Sequence, residues 1–139
     1  MTLSVDSYQL SEDISVFEHN YRELRVWKKA VEFADKIYKT TKLFPKDEMF
    51  SLSSQLKRAA VSVASNIAEG STKYLDKDFA RFLNISYGSV AEIDTQLEIA
   101  RLQNYVNEQQ FELLSKDLVE IRKMLSGLRK SILKKSDNR

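Results

Sequence analysis

Cysteine is missing from all 139 residues, so disulfides and thiolate metal sites are excluded, and the composition fits a reducing compartment. Histidine occurs once, at His19, ahead of the first segment with helical periodicity. A Ser-His-Asp or Cys-His arrangement needs a rigidly held imidazole, which such a position does not offer. Glycine (three) and proline (one) are scarce. Sheet-rich folds need many turns and turns need these residues, so their scarcity favours a few long helices with short connections. No apolar run approaches the roughly 20 residues of a membrane span. The N-terminal segment has neither a basic n-region nor an apolar h-region, which predicts a cytoplasmic protein. Motifs for metals and phosphates are missing as well. There is no HExxH, no Glu-x-x-His pair, no calcium loop and no glycine cluster of the kind that cradles phosphate. The expectation is a protein that is not an enzyme, with no catalytic residues, no metal site and no cofactor.

What is present is apolar residue at helical spacing and a large amount of charge. Hydrophobic residues make up 42% of the chain and charged residues 30%, enough for one core and a well-solvated surface. The chain divides into an acidic arm over residues 1–20, a helical domain over 21–135 and a short tail over 136–139. Asn20 with Glu23 has the form of a capping box. A first helix is predicted from Leu24 to about Leu43, with Trp27, Ala30, Val31, Ala34, Ile37, Tyr38 and Thr41 on its apolar stripe and Pro45 beyond its end. A second runs from about Asp47 to Glu69 and buries Leu52, Leu56, Ala59, Ala60, Val63 and Ile67, with Gly70 as its C-cap. Asp76 is the expected N-cap of a third helix to about Asn104, whose stripe is Phe79, Phe82, Leu83, Ser86, Val90, Ile93, Leu97 and Ala100. Asn107 and Gln110 open a fourth, which carries an unbroken heptad of Phe111, Leu114, Leu118, Ile121, Leu125, Leu128 and Ile132. Four helices with short connections predict an all-α, antiparallel up-down four-helix bundle. Leu24, Phe33, Phe50 and Tyr74 fall off or at the margins of these stripes, and extra apolar residues on a long bundle favour association with copies of itself.

Charge is unevenly placed. Residues 1–21 hold four acids and no Lys or Arg, and the rest of the chain is correspondingly basic. On the fourth helix Lys116, Lys123 and Lys130 recur every seven residues, with Arg122 and Arg129 beside them and Lys134 and Lys135 beyond. The first helix adds Lys28 and Lys29. These nine residues are the candidate nucleic-acid contacts, weighed against an ordinary solvated helix face. Trp27 reads as a core anchor or as a ring on which a base stacks. A second pattern is polar. Gln55, Arg58, Ser62, Asn66 and Glu69 border the apolar stripe of the second helix, and Ser86, Ser89, Glu92 and Gln96 border that of the third. They read as contacts between helices, with Gly88 allowing close approach and Arg58 pairing with Glu92 or Glu69, or as a polar groove for a ligand.

Several strings carry a family resemblance. They are Leu24-Arg25-Val26-Trp27-Lys28-Lys29-Ala30, Ile37-Tyr38, Phe44-Pro45, Gln55 to Ser62 (QLKRAAVS), Asn66-Ile67-Ala68-Glu69-Gly70, Phe79, Phe82-Leu83, Gly88-Ser89 with Glu92, and Gln96-Leu97 with Ala100. In order and spacing this resembles the bacterial four-helix bundle proteins encoded in intervening sequences of 23S ribosomal RNA genes, often labelled S23-type ribosomal proteins. The resemblance covers about residues 22–132. It implies an antiparallel four-helix protomer that assembles as a homopentamer, and an association with RNA. A related branch, the accessory variability protein of diversity-generating retroelements, forms a basic pentamer that binds nucleic acid and a reverse transcriptase. The implied partners are copies of the chain itself, RNA or DNA, and, as an alternative function, a partner protein docked on a scaffold.

Overall fold

A computed structural model describes residues 20–137, so the acidic arm up to His19 and the last two residues, Asn138 and Arg139, lie outside the described part. Four α-helices account for most of it: α1 (Arg25–Thr41), α2 (Leu52–Ser71), α3 (Asp76–Leu102) and α4 (Glu108–Asp137). Short 3-10 turns span Tyr21–Glu23 and Lys46–Glu48, and no strand occurs among the described residues. At 1.5 Å per residue α4 is roughly 45 Å long.

α3 and α4 bury the residues expected of them. Phe79, Phe82, Leu83, Ser86, Val90, Ile93, Leu97 and Ala100 are all buried on α3, and Leu114, Leu118, Ile121 and Leu125 on α4, with Phe111, Leu128 and Ile132 packed at the edges of the core. α1 is turned away from its expected orientation. Its inward row is Val26, Ala30, Phe33 and Ile37, ending in Thr40 and Thr41, and Phe33 is only 2% exposed. Trp27, Val31, Ala34 and Tyr38 form a second row one residue further on, about 100° around the helix. That row meets the flank of α2, where Lys57 Nζ lies 5.5 Å from the centre of the Tyr38 ring. Trp27 is half-buried beneath Tyr21, whose ring meets it edge-on at 5.3 Å.

Helix ends account for the other differences. Asn20 caps the Tyr21–Glu23 turn, accepting from the Arg22 N–H at 3.1 Å, and α1 begins after it at Arg25. α2 begins at Leu52, five residues later than expected, because Lys46–Glu48 closes a separate 3-10 turn. Glu48 then reaches forward to accept from the Leu52 N–H at 3.2 Å, satisfying one of the donors that a helix start leaves open. The other oxygen of Glu48 accepts from the Tyr105 hydroxyl at 3.1 Å, and the Tyr105 ring packs on Phe44. One end of the molecule is latched in this way. α3 stops before Asn104, which adopts φ 64°. The Tyr105 N–H bonds the Ala100 carbonyl and the Asn104 N–H the Arg101 carbonyl, the two closures of a left-handed helix cap. Asp76 is the first residue of α3, and Leu75 stands at its N-cap. Asn107 does cap α4, accepting from the Gln110 N–H at 2.8 Å. The Gln110 side chain crosses to Thr40 instead of folding back.

Each helix packs on its neighbours in sequence, and α1 also meets α4. The α2–α3 seam is the tightest. Gly70 lies inside α2, without positive φ, and not at a cap. A Cβ there would sit 2.7 Å from Phe82 Cβ and 2.9 Å from the Phe79 ring, so this glycine is required by helix contact. Gly88 has nothing within 4 Å of its Cβ position among the described residues and permits no close approach between their helices. Along the seam Ser86 Oγ donates to the Val63 carbonyl at 2.8 Å, and Ser62 and Ser89 share a hydrogen bond of 2.9 Å. Contacts therefore move backward along α3 as α2 advances.

Candidate nucleic-acid interface

The heptad of α4 decides where its basic residues go. With Leu114, Leu118, Ile121 and Leu125 inward, Lys116, Lys123, Lys130 and Lys134 share the opposite side, where all four are exposed. Lys135 and Arg122 are also exposed and Arg129 is half-buried. Among the described residues none of these seven forms an ion pair. Their charge is left to solvent, a condition for trading counterions with a polyanion.

The two lysines of α1 separate. Lys28 faces solvent, whereas Lys29 is part of a clamp onto α4. Its Nζ lies 3.1 Å from Asp117 Oδ1 and 2.7 Å from Glu120 Oε2, and Lys36 Nζ lies 2.8 Å from Asp117 Oδ2. The Asp117 side chain is only 14% exposed. Burial alone would push its carboxyl up, but the ammonium groups of Lys36 and Lys29 together outweigh that and hold it below the ordinary carboxylate range. The hydrogen bond from Lys29 lowers Glu120, and the bonds to Glu120 and then Asp117 raise Lys29. Lys29 thus fastens α1 to α4. Next to the clamp an opening of ≈ 560 Å³ is lined by Lys36, Lys39 and Lys116 along with both acids, which offset part of the positive charge.

Arg122 and Arg129 lie on the other flank of α4, toward α3. Arg122 borders a groove of ≈ 290 Å³ with Tyr87, Asp94 and Ser115, and Arg129 borders one of ≈ 210 Å³ with Tyr87, Asn84 and Ser126. Ser115 Oγ and Arg129 Nε are buried without a hydrogen-bond partner among the described residues. Tyr87 was not singled out from sequence. Its signal was an aromatic ring in a polar stretch of α3, off that helix's apolar stripe.

The polar residues of α2 and α3 come together in part. Asn66 Nδ2 donates to the Ser62 carbonyl at 2.8 Å and to Ser62 Oγ at 3.0 Å, and Ser62 joins Ser89 across the seam. Gln55, Arg58, Glu92 and Gln96 line a shallow groove of ≈ 230 Å³ beside them. The expected ion pair is not made: Arg58 pairs with neither Glu92 nor Glu69, and all three side chains are exposed. Arg58 extends outward from α2 and reaches neither acid. Among the described residues no group of three or more His, Cys, Asp or Glu could hold a metal ion, and no helix is long and apolar enough to cross a membrane.

The comparisons agree with this architecture. No curated protein matches the chain. A solved structure from Bacteroides thetaiotaomicron, a protein of unknown function from the S23 ribosomal protein family, is similar over 76% of this chain and 95% of its own, with 30% identity and a TM-score of 0.70. The family model for the 23S rRNA-intervening sequence protein matches residues 22–127, most of the described helices. The Gln55–Gly70 run that builds the tight α2–α3 seam and the α4 heptad from Phe111 to Leu125 fall inside that span, and the chain belongs to the 23S rRNA-intervening sequence protein family.

Proposed function

We propose that this chain is a non-enzymatic, cytoplasmic, RNA-associated protein whose protomer is an up-down four-helix bundle assembling as a homopentamer. The single observation that supports RNA association most is the strip of Lys116, Lys123, Lys130 and Lys134, exposed on one side of α4 and without ion-pair partners among the described residues. A phosphate backbone is the partner that such a strip suits, and repetition around a ring would multiply the contacts. The retreat of contacts along α3 as α2 advances supports the antiparallel arrangement. Exposed Val31 and Tyr38 on α1, with exposed Val61 on α2, support self-association.

Charge reversal tests this function. Lys123→Glu, Lys130→Glu and Lys134→Glu together leave helicity unchanged and a hydrodynamic mass of about five times the 16.1 kDa protomer, while abolishing binding to RNA at low salt. Full retention of RNA affinity moves the contact surface off the lysine strip. A protein-scaffold function draws support from Phe50 and Tyr74, 92% and 93% exposed, which offer aromatic anchors to a partner. Recovery of a stoichiometric protein partner after nuclease treatment, with no RNA binding, favours that second reading.

A further inference from the structure

The groove between α3 and α4 combines features that the lysine strip does not have. Tyr87 is 40% exposed and borders two grooves between α3 and α4, one lined by Arg122 and the other by Arg129. The two arginines are seven residues apart on one helix, about 10.5 Å along its axis. Neither has an acidic partner among the described residues, although Asp94 lines the Arg122 groove. Buried polar atoms normally find partners, and two here have none among the described residues: Arg129 Nε and Ser115 Oγ. An exposed ring that shares one groove with Arg122 and the next with Arg129 matches the needs of a single nucleic-acid strand. A base stacks on the ring and adjoining phosphates meet the arginines.

We infer that the α3–α4 groove is a binding site for single-stranded RNA, with Tyr87 as the stacking platform and Arg122 and Arg129 as phosphate contacts. The inference rests on the RNA association proposed above and gives it a strand type and a location. A duplex keeps its bases paired and stacked, so it has no free face to offer Tyr87. Duplex RNA therefore uses the outer lysine strip alone. Asp94 supplies a polar contact at the Arg122 end, where a ribose hydroxyl or an exocyclic amine would pair with it.

The test uses the full-length protein at low salt with a fluorescent decauridylate and a ten-base-pair RNA duplex. Tyr87→Leu is expected to weaken decauridylate binding about tenfold, the loss of one stacked base, and to leave duplex binding unchanged. Tyr87→Phe keeps the ring and is expected to bind as the parent does. Arg122→Gln with Arg129→Gln is expected to flatten the dependence of log K on log salt by about 1.4 for the single strand, two phosphate contacts at about 0.7 each. Cross-linking of a 4-thiouridine decamer to the unmodified protein is expected to mark the tryptic peptide Phe82–Arg101, which holds Tyr87, so the result does not depend on a variant folding. Unchanged decauridylate binding by a folded Tyr87→Leu protein, or cross-links confined to the outer face of α4, overturns the groove while the lysine strip stands. Failure of the unmodified protein to bind either RNA overturns both.

Discussion

Replacing Gly70 with alanine tests whether α2 and α3 really touch at this point. Inside a helix alanine is favoured over glycine by up to about 1 kcal/mol, and Gly70, in the last turn of α2, gains at most that, so on local grounds the substitution should not destabilise. The seam opposes it. The new methyl would lie 2.7 Å from Phe82 Cβ, 2.9 Å from the Phe79 ring and 3.3 Å from the Phe79 carbonyl oxygen. A side-chain tip can swing aside, but Phe82 Cβ and the carbonyl move only with the α3 backbone. Relief therefore requires the helices to part, and the cost falls at the upper end of the usual overpacking range, about 3 kcal/mol. The net expectation is a loss of about 2 kcal/mol, roughly 8 °C in melting temperature for a domain of this size. Gly88→Ala is the matched control. Its methyl meets nothing within 4 Å, so only the helix preference acts and stability rises by about 1 kcal/mol. Urea unfolding followed by far-ultraviolet circular dichroism, at one protein concentration, reads both. Equal stabilisation by the two alanines would refute the close approach at Gly70.

Two further substitutions probe other joints. Asn104 holds φ 64°, so Asn104→Gly should be neutral or stabilise by a few tenths of a kcal/mol, whereas Asn104→Val should cost about 1–2 kcal/mol in the same unfolding assay. Asp117, with its carboxyl held low in the folded state, contributes stability that is present above the unfolded value near pH 3.9 and is lost as pH falls through the lower native value. Lys29, raised in the folded state, contributes below its unfolded value near pH 10.4 and loses that contribution as pH rises through the higher native one. Asp117→Asn should therefore cost about 1 kcal/mol near neutrality and flatten the acid limb of a stability-against-pH curve; an unchanged acid limb removes the clamp from the account.

The regularity of a pattern decided how far the sequence could be read. α3 and α4 each present one main apolar row, and the residues of that row were legible one by one, although Ala80, Ser89 and Gln96 are buried on α3 as well. α1 presents two rows one residue apart, Val26-Ala30-Phe33-Ile37 and Trp27-Val31-Ala34-Tyr38, and periodicity does not rank them; packing against α2 and α4 does. The late start of α2 depends on Glu48, whose carboxylate is held by Tyr105 at a separation of 57 residues. Gly70 follows a helical stretch as a cap would, and its true reason is on α3. Similarly Lys29 looked like a surface cation because its partners, Asp117 and Glu120, are on the far helix. The sequence did carry a clue there, since acids flanking a heptad seam commonly pair with bases on the adjacent helix. The lysines opposite the α4 heptad needed no such help, because the position of the seam already places them outside.

The central claim is that free positive charge on α4 engages a phosphate backbone. Its most direct test is a titration of the unmodified full-length protein with single-stranded RNA across ionic strengths from about 50 to 200 mM, the range over which phosphate contacts weaken measurably. The expected result is tight binding at low salt and a linear fall of log K with log salt, with a slope of about −0.7 for each engaged lysine or arginine. Binding that is undetectable at low salt, or an affinity indifferent to ionic strength, contradicts the account.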